Sequence, residues 1–193
     1  MMKETNELVG KLHGIILLIH NSVVFSDIVD FLNKIRPDEH IQVLYISLIN
    51  SYANIKNILK EHPIRSKDLF VVDCVSGFVI ELHDTPECAY RKPPSNLDQL
   101  KELLLKNIKN QNPNIVMIDS LSQFINFSMP TDEELNNFYR FLHSIKENIW
   151  GLKEDSIILL YDDKFGQLQS LPTMSIDLIL KYEVIRKKPG WKE

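Results

Sequence analysis

The sequence predicts an α/β protein, a three-layer αβα arrangement around a mainly parallel sheet of five or more strands. Two features carry that prediction. Five short, continuous apolar runs read as strands buried on both faces. Between them lie segments whose apolar residues recur at helical spacing, which together make successive βαβ units. A length of 193 residues and a hydrophobic content of 44% suit one domain, residues 1–193, with a substantial core.

The elements follow in order. Ile15-Ile-Leu-Leu-Ile19 is the first strand. After a turn, Ile28, Val29, Phe31, Leu32 and Ile35 mark a helix that Pro37 ends. Gln42–Leu48 is the second strand, and Ser51 is placed to cap the helix carrying Ile55, Ile58 and Leu59, which Pro63 closes. Leu69–Val75 is the third strand. Residues 81–95 hold Pro86, Pro93 and Pro94 among mixed charges and read as an irregular surface excursion, with Phe78-Val-Ile80 as a short extra strand. Ser95-Asn-Leu-Asp98 is a weak capping box for a helix with Leu97, Leu100, Leu103, Leu104 and Ile108 on one face. Pro113 stops that helix before the fourth strand, Ile115–Ile118. Thr131-Asp-Glu-Glu134 is a full capping box for a helix burying Leu135, Phe138, Phe141, Leu142 and Ile145. Ile157–Tyr161 is the fifth strand. The alternating stretch Ile176–Ile185 is expected to add antiparallel structure at the C-terminal edge of the sheet.

A net charge of −4 provides no global basic field for nucleic acid, and Arg186-Lys-Lys188 with Lys192 is the one obvious basic cluster. Cys74 and Cys88 are fourteen apart without a C-x-x-C pair, which argues against a metal site or redox couple, and Cys74 reads as a buried small residue. The apolar run Ile15–Ile19 is too short for a signal peptide or a membrane span, so a cytoplasmic location and no membrane partner are expected.

Asn114-Ile-Val-Met-Ile-Asp119 ends an apolar strand on an aspartate. In nucleotide-hydrolysing α/β proteins such an acid helps to hold Mg²⁺ beside bound phosphates, and the phosphates themselves need the turn G-x-x-x-x-G-K-[ST]. The place for that turn reads His20-Asn-Ser-Val-Val-Phe-Ser26. From Leu12 to Asn33 there is no Lys or Arg, and the one glycine, Gly14, precedes the strand.

The order of motifs resembles a single RecA-like domain of the KaiC type, within the P-loop ATPases, from about Leu12 to about Gly190. Val43-Leu-Tyr-Ile-Ser-Leu48 followed by Asn50-Ser-Tyr-Ala-Asn-Ile55 is similar to the family's second strand and helix start. Ser95-Asn-Leu-Asp-Gln-Leu100 is similar to a later helix start, Asn114–Ser120 to the Walker B strand, Ser175-Ile-Asp-Leu-Ile-Leu180 to a late strand, and Arg186-Lys-Lys-Pro-Gly190 to the closing basic segment.

The departures fall on the chemistry. Val24 or Phe25 stands where the family's Walker A lysine belongs. Without successive glycines the backbone amides do not curl readily into an anion-binding nest, and without the lysine the β/γ-phosphates lack a cationic partner. The family's second strand ends on paired glutamates, one the general base; the matching Ile49 and Asn50 cannot take a proton from water. Ser22 and Ser26 either mimic the Mg²⁺-binding hydroxyl or cap the following helix, and capping is the preferred reading. For Asp119 the preferred role is accepting hydrogen bonds from backbone amides of the next turn.

Other candidates are weaker. His20 ends the first strand, where α/β folds bind ligands, and reads as a polar loop residue. Asp162 and Asp163 are adjacent, so on a strand they point opposite ways, and a solvated loop is preferred. Phe124, Phe127 and Met129 are core, or cover the vacated site, or face a partner. There is no H-E-x-x-H, G-x-S-x-G or G-x-G-x-x-G.

The expected function is therefore that of a non-catalytic RecA/KaiC-like domain, a regulatory or scaffolding subunit assembling with itself or with a RecA/KaiC-like paralogue. No residue is assigned a catalytic role. His20, Asn21, Ser22, Ser26 and Asp119 mark a vestigial nucleotide site, and no cofactor is expected. The alternatives are a divergent ATPase with weak ATP binding, in which Asp119 would hold the metal of Mg-ATP, and a recombinase-type accessory protein contacting DNA, which the net charge disfavours.

Overall fold

The computed structural model describes residues 12–21, 24–35, 40–65, 67–78, 82–150, 155–164 and 176–182. The strands are β1 (Gly14–His20), β2 (Ile41–Ser47), β3 (Lys67–Asp73), β4 (Cys88–Tyr90), β5 (Ile115–Asp119), β6 (Ser156–Asp162) and β7 (Leu178–Tyr182). The helices are α1 (Phe25–Lys34), α2 (Tyr52–Glu61), α3 (Leu97–Gln111), α4 (Leu121–Ser128) and α5 (Asp132–Ile145), the last continuing into a π turn, Lys146–Trp150.

The strands form one sheet in the order β4-β3-β2-β5-β6-β1-β7, and every ladder in it is parallel. Helices cover both faces, as the continuous apolar runs require. Ile15, Leu17 and Ile19 join Leu44, Ile46, Val116 and Ile118 beneath α3, α4 and α5. The alternate residues, Ile16 and Leu18 with Val43, Tyr45 and Met117, pack against α1 and α2. Period-two alternation thus splits each run between two cores.

Local chemistry starts the helices largely where the sequence indicates. Ser51 Oγ accepts from Asn54 N–H at the start of α2, and Thr131 with Glu134 forms the capping box of α5. The cap of α3 is Asn96, one residue beyond the expected Ser95; Asn96 Oδ1 accepts from Gln99 N–H at 3.0 Å, and Ser95 N–H donates to Gln99 Oε1.

Three expectations are corrected. The C-terminal edge is not antiparallel among the described residues: β7 runs parallel to β1, from Leu178 opposite Ile16 to Tyr182 opposite His20. Its alternating burial reports an edge strand with one exposed face, a pattern that carries no information on direction. Ser76–Phe78 is a 3₁₀ turn, while Val79 and Ile80 lie outside the described residues. The extra strand is β4, inside the segment read as irregular, and it pairs with Val71–Asp73. Ser175 and residues 183–193, including the basic cluster, also lie outside the described residues.

One carboxylate ties β7 to the rest. Asp177 Oδ2 accepts from Ile15 N–H at 2.7 Å and from Lys146 Nζ at 2.9 Å. Burial raises the acid's pKa, but these two donors outweigh it and hold the pKa below the usual value. Gly14 makes the approach possible: it takes φ +91°, and a Cβ there would stand 2.4 Å from Asp177 Oδ2.

Tyr139 on α5 is fully buried, and its hydroxyl has no hydrogen-bond partner among the described residues. An unmatched buried hydroxyl costs about 1–3 kcal/mol of desolvation. Tyr139→Phe is therefore expected to leave stability unchanged or raise it by about 1 kcal/mol, read from the urea midpoint. A loss of stability would show that the hydroxyl is matched in solution.

Candidate functional site

The carboxyl ends of the strands form a polar row. On each strand the apolar residue two before the end faces α1 and α2, so alternation places the last residue on that same face. These last residues are His20 on β1, Asp162 on β6, Asp119 on β5, Ser47 on β2 and Asp73 on β3, all buried. The register sets His20 opposite Asp162, Asp119 opposite Ser47, and Ser47 opposite Asp73. Open parallel sheets of this kind bind ligands beyond this edge.

Asp119 is the most constrained member. It is 2% exposed, and its Oδ2 accepts a short hydrogen bond from Tyr45 OH and a longer one, 3.5 Å, from Asn50 Nδ2. The expected bonds to amides of the following turn are not the ones formed; α4 instead begins at once, with Ser120 Oγ capping it toward Gln123 N–H. Burial pushes the Asp119 pKa up to about 6, the nearby charge of Asp162 adds to this, and the Tyr45 and Asn50 bonds oppose it. Tyr45 is displaced upward as well, by burial and by Asp119. Its ring meets that of Phe25, the first residue of α1, edge-to-face at 5.2 Å.

Asn50 reaches Asp119 because Ser47 shapes the turn: Ser47 Oγ donates to Asn50 C=O at 2.7 Å and accepts from Asn50 N–H at 3.1 Å. The other acids are engaged differently. Asp73 accepts from the N–H groups of Tyr52, Val75 and Ser76 and from Ser76 Oγ, at 2.7–2.8 Å. Burial raises its pKa, these four bonds outweigh burial, and the net shift is downward. Asp162 Oδ1 accepts from Lys164 N–H, and Asp162 N–H donates to Ser122 Oγ, both at 3.0 Å. Asp162 is thus part of the buried strand end, not of a solvated loop.

The residues expected to mark a vestigial nucleotide site are only partly brought together. His20 is 5% exposed at a strand end, which corrects its reading as a loop residue. Burial lowers its pKa against the opposing charges of Asp162 and Asp163. Asn21 is part-buried, and its Oδ1 has no hydrogen-bond partner among the described residues. Ser22 lies outside the described residues. Ser26 does not cap: Val24 holds the N-cap position, its N–H donating to Asp27 Oδ2 at 3.0 Å, and Ser26 sits inside the first turn. Residues 21–24 are all that separate β1 from α1. A phosphate-cradling G-x-x-x-x-G-K-[ST] turn requires a longer connection. Among the described residues there is no group of three or more His, Cys, Asp or Glu placed to hold a metal ion.

Tyr45 and Asp73 were not singled out from the sequence, although each left a trace there. A tyrosine inside a strand buried on both faces needs a partner for its hydroxyl, and Val-Val-Asp73 repeats the strand-then-aspartate pattern of Asp119.

Solved structures with the same fold are the flagellar accessory protein FlaH from Methanocaldococcus jannaschii and a KaiC-like protein from Pyrococcus horikoshii. The first superposes with a TM-score of 0.56 at 10% identity, covering 92% of this chain and 76% of FlaH. The second gives 0.52 at 12% identity, covering 91% and 74%. The fold is therefore RecA/KaiC-like, as the motif order implied. No protein-family profile matches the chain. No curated protein sequence matches it.

The raised Asp119 pKa makes stability depend on pH with a defined sign. The folded protein holds this proton more tightly than the unfolded chain, so the contribution is complete below the unfolded carboxyl value and is lost as pH rises through about 6. Its size is on the order of 3 kcal/mol. Asp119→Asn should flatten the stability profile between about pH 4 and pH 7 and be the more stable form at neutral pH. Parallel profiles for the two proteins, measured by urea unfolding, would show that Asp119 titrates normally.

Proposed function

We propose that residues 1–193 form a non-catalytic RecA/KaiC-like domain that serves as a regulatory or scaffolding subunit, assembling with itself or with a RecA/KaiC-like paralogue. The observation that carries the non-catalytic part is the state of Asp119. Asp119 Oδ2 is already engaged by hydrogen bonds from Tyr45 and Asn50, and burial holds the acid's pKa up at about 6. Mg²⁺ needs oxygen ligands with open lone pairs and retains several waters, conditions this buried cluster does not supply. Asn50 stands where the family resemblance implies a glutamate, so the same substitution removes a base and satisfies the acid. The short link between β1 and α1, with no Gly or Lys in its sequence, supports the reading that no phosphate cradle is present. Mg-ATP does not fit these residues.

The assembly part is supported by an apolar cleft beyond the same edge. It measures about 480 Å³, with Leu48, Cys74 and Phe124 among its lining residues. Phe78 and Phe127 on the lining are 79% and 75% exposed, and Met129 at the end of α4 is 83% exposed. The turn that carries Phe78 is held in place. Asp73 braces the turn that carries Phe78, and Gly77 packs so closely that a Cβ would lie 2.8 Å from Arg91 C=O. Large exposed apolar side chains at a concave surface are common anchors of protein contacts.

Two measurements test the proposal. Mg-ATP is expected to leave the melting temperature unchanged, whereas specific binding at a hundredfold excess over Kd would stabilise by about 2.7 kcal/mol. A rise that disappears in Asp119→Ala would overturn this reading in favour of Mg-ATP binding at Asp119. Light scattering is expected to show a mass above the monomer, alone or with a RecA/KaiC-like paralogue. Phe78→Ser with Phe127→Ser should return it to the monomer, with a stability change within about 0.5 kcal/mol because both side chains are exposed. A strict monomer in every mixture would end the assembly reading.

A further inference from the structure

The outer edge of β3 is half covered. β4 pairs with it at three positions, Val71 with Cys88 through Asp73 with Tyr90, whereas β3 begins at Lys67. That pairing fixes which backbone groups face outward. Val71 N–H donates to Glu87 C=O, and Asp73 C=O accepts from Arg91 N–H, so the odd-numbered residues of β3 address the outer side. The even-numbered ones address β2, as the bond from Cys74 N–H to Ser47 C=O continues to show. Leu69 therefore turns both N–H and C=O outward, and among the described residues no strand lies opposite it there. A groove of about 590 Å³ runs past it, bordered by Lys56 and Lys60 of α2, Phe70 of β3 and Glu87.

A donor and an acceptor on one residue of an open sheet edge are matched together by another extended backbone. Charge then selects the occupant. Both acids on the lining are engaged, Asp68 with His40 at 3.0 Å and Glu87 with Tyr52 OH at 2.6 Å and Lys56 at 4.0 Å. The lining carries three lysines, Lys56, Lys60 and Lys67, against these two acids, so the groove is net positive on a chain whose net charge is −4. A second copy of the same edge would bring like charges together, which opposes pairing.

We propose that the open half of β3 binds an extended acidic segment of a partner protein by strand addition, with Leu69 supplying the backbone hydrogen bonds and Lys60 the selection for acid. This deepens the assembly reading by stating the chemistry of a partner, and it concerns a different surface from the cleft at Phe78 and Phe127.

The test uses the whole protein and two capped peptides, one alternating valine with glutamate and one alternating valine with lysine. Amide exchange and chemical shifts are followed by NMR. The Leu69 amide should exchange rapidly in the protein alone, and the glutamate peptide should bind saturably and slow that exchange at least about tenfold. The lysine peptide should not bind. Leu69→Pro removes an N–H that the β2 ladder does not use, so it should abolish binding and leave the sheet intact. Lys60→Glu alters no backbone group and should weaken binding about tenfold, so it decides the matter if the proline variant does not fold. The proposal is overturned by absence of saturable binding, by equal binding of both peptides, or by insensitivity to both variants. Protection of Leu69 that grows with protein concentration alone would overturn it in favour of a second copy. None of these outcomes touches the light-scattering result with Phe78 and Phe127, so the two readings fail separately.

Discussion

Helices on both faces leave the middle of β1, β5 and β6 with no route to water, so an ionisable side chain on these strands is accommodated only at an end. That constraint concentrates His20, Asp119, Asp162 and Asp73 along one edge and one face. Each acid then takes its hydrogen bonds from whatever neighbouring turns and strands offer. Asp73 has three backbone amides and a hydroxyl within reach and ionises more readily than an ordinary aspartate. Asp119 has a phenol and a side-chain amide, which is less compensation for complete burial, and it holds its proton more tightly. Two aspartates in equivalent strand positions thus differ in character because Asp73 is met by backbone amides of its own turn and of α2, whereas Asp119 relies on side chains of β2 and the turn after it.

The same constraint governs the strand ends whatever lies beyond them. The sheet needs its strand ends satisfied, whether or not anything is bound there. Tyr45 and Asn50 meet that need from within the protein, and Phe25 closes over the Tyr45 ring at the start of α1. An active site of this type keeps polar groups unsatisfied until a ligand arrives, at a cost in stability. Here internal bonds to Asp119 Oδ2 supply part of that satisfaction from within the fold.

What was legible in the sequence was local. Strand runs such as Ile15–Ile19, the caps at Ser51 and Thr131, and the absence of a Gly/Lys turn depend on residues a few positions apart. The errors arose where contacts are distant. Asp119 and Tyr45 are 74 residues apart, so nothing near Asp119 indicated a phenol as its partner. The direction of β7 is decided by which end of β1 the chain returns to, and an alternating pattern reads the same either way. β4 was obscured because it is three residues long and follows Pro86, below the length at which periodicity carries a signal. Ser26 was mistaken for a cap because serine favours that position, while Asp27 in the first turn already serves the Val24 amide.

The placement of β1 has a consequence for the order in which the protein is completed. Both its neighbours come from the far end of the chain: β6 begins at Ser156 and β7 at Leu178. The bond between Ile15 and Asp177 spans 162 residues. Contacts of such separation form late, since a long loop must close before they offer any return. The earliest of the described strands is therefore the last of them to be enclosed, and its apolar run waits with both edges open while β2, β3 and β5 can already pair among themselves. During synthesis this makes Ile15–Ile19 the segment with the longest exposure to misassociation, and the one for which a chaperone would matter most.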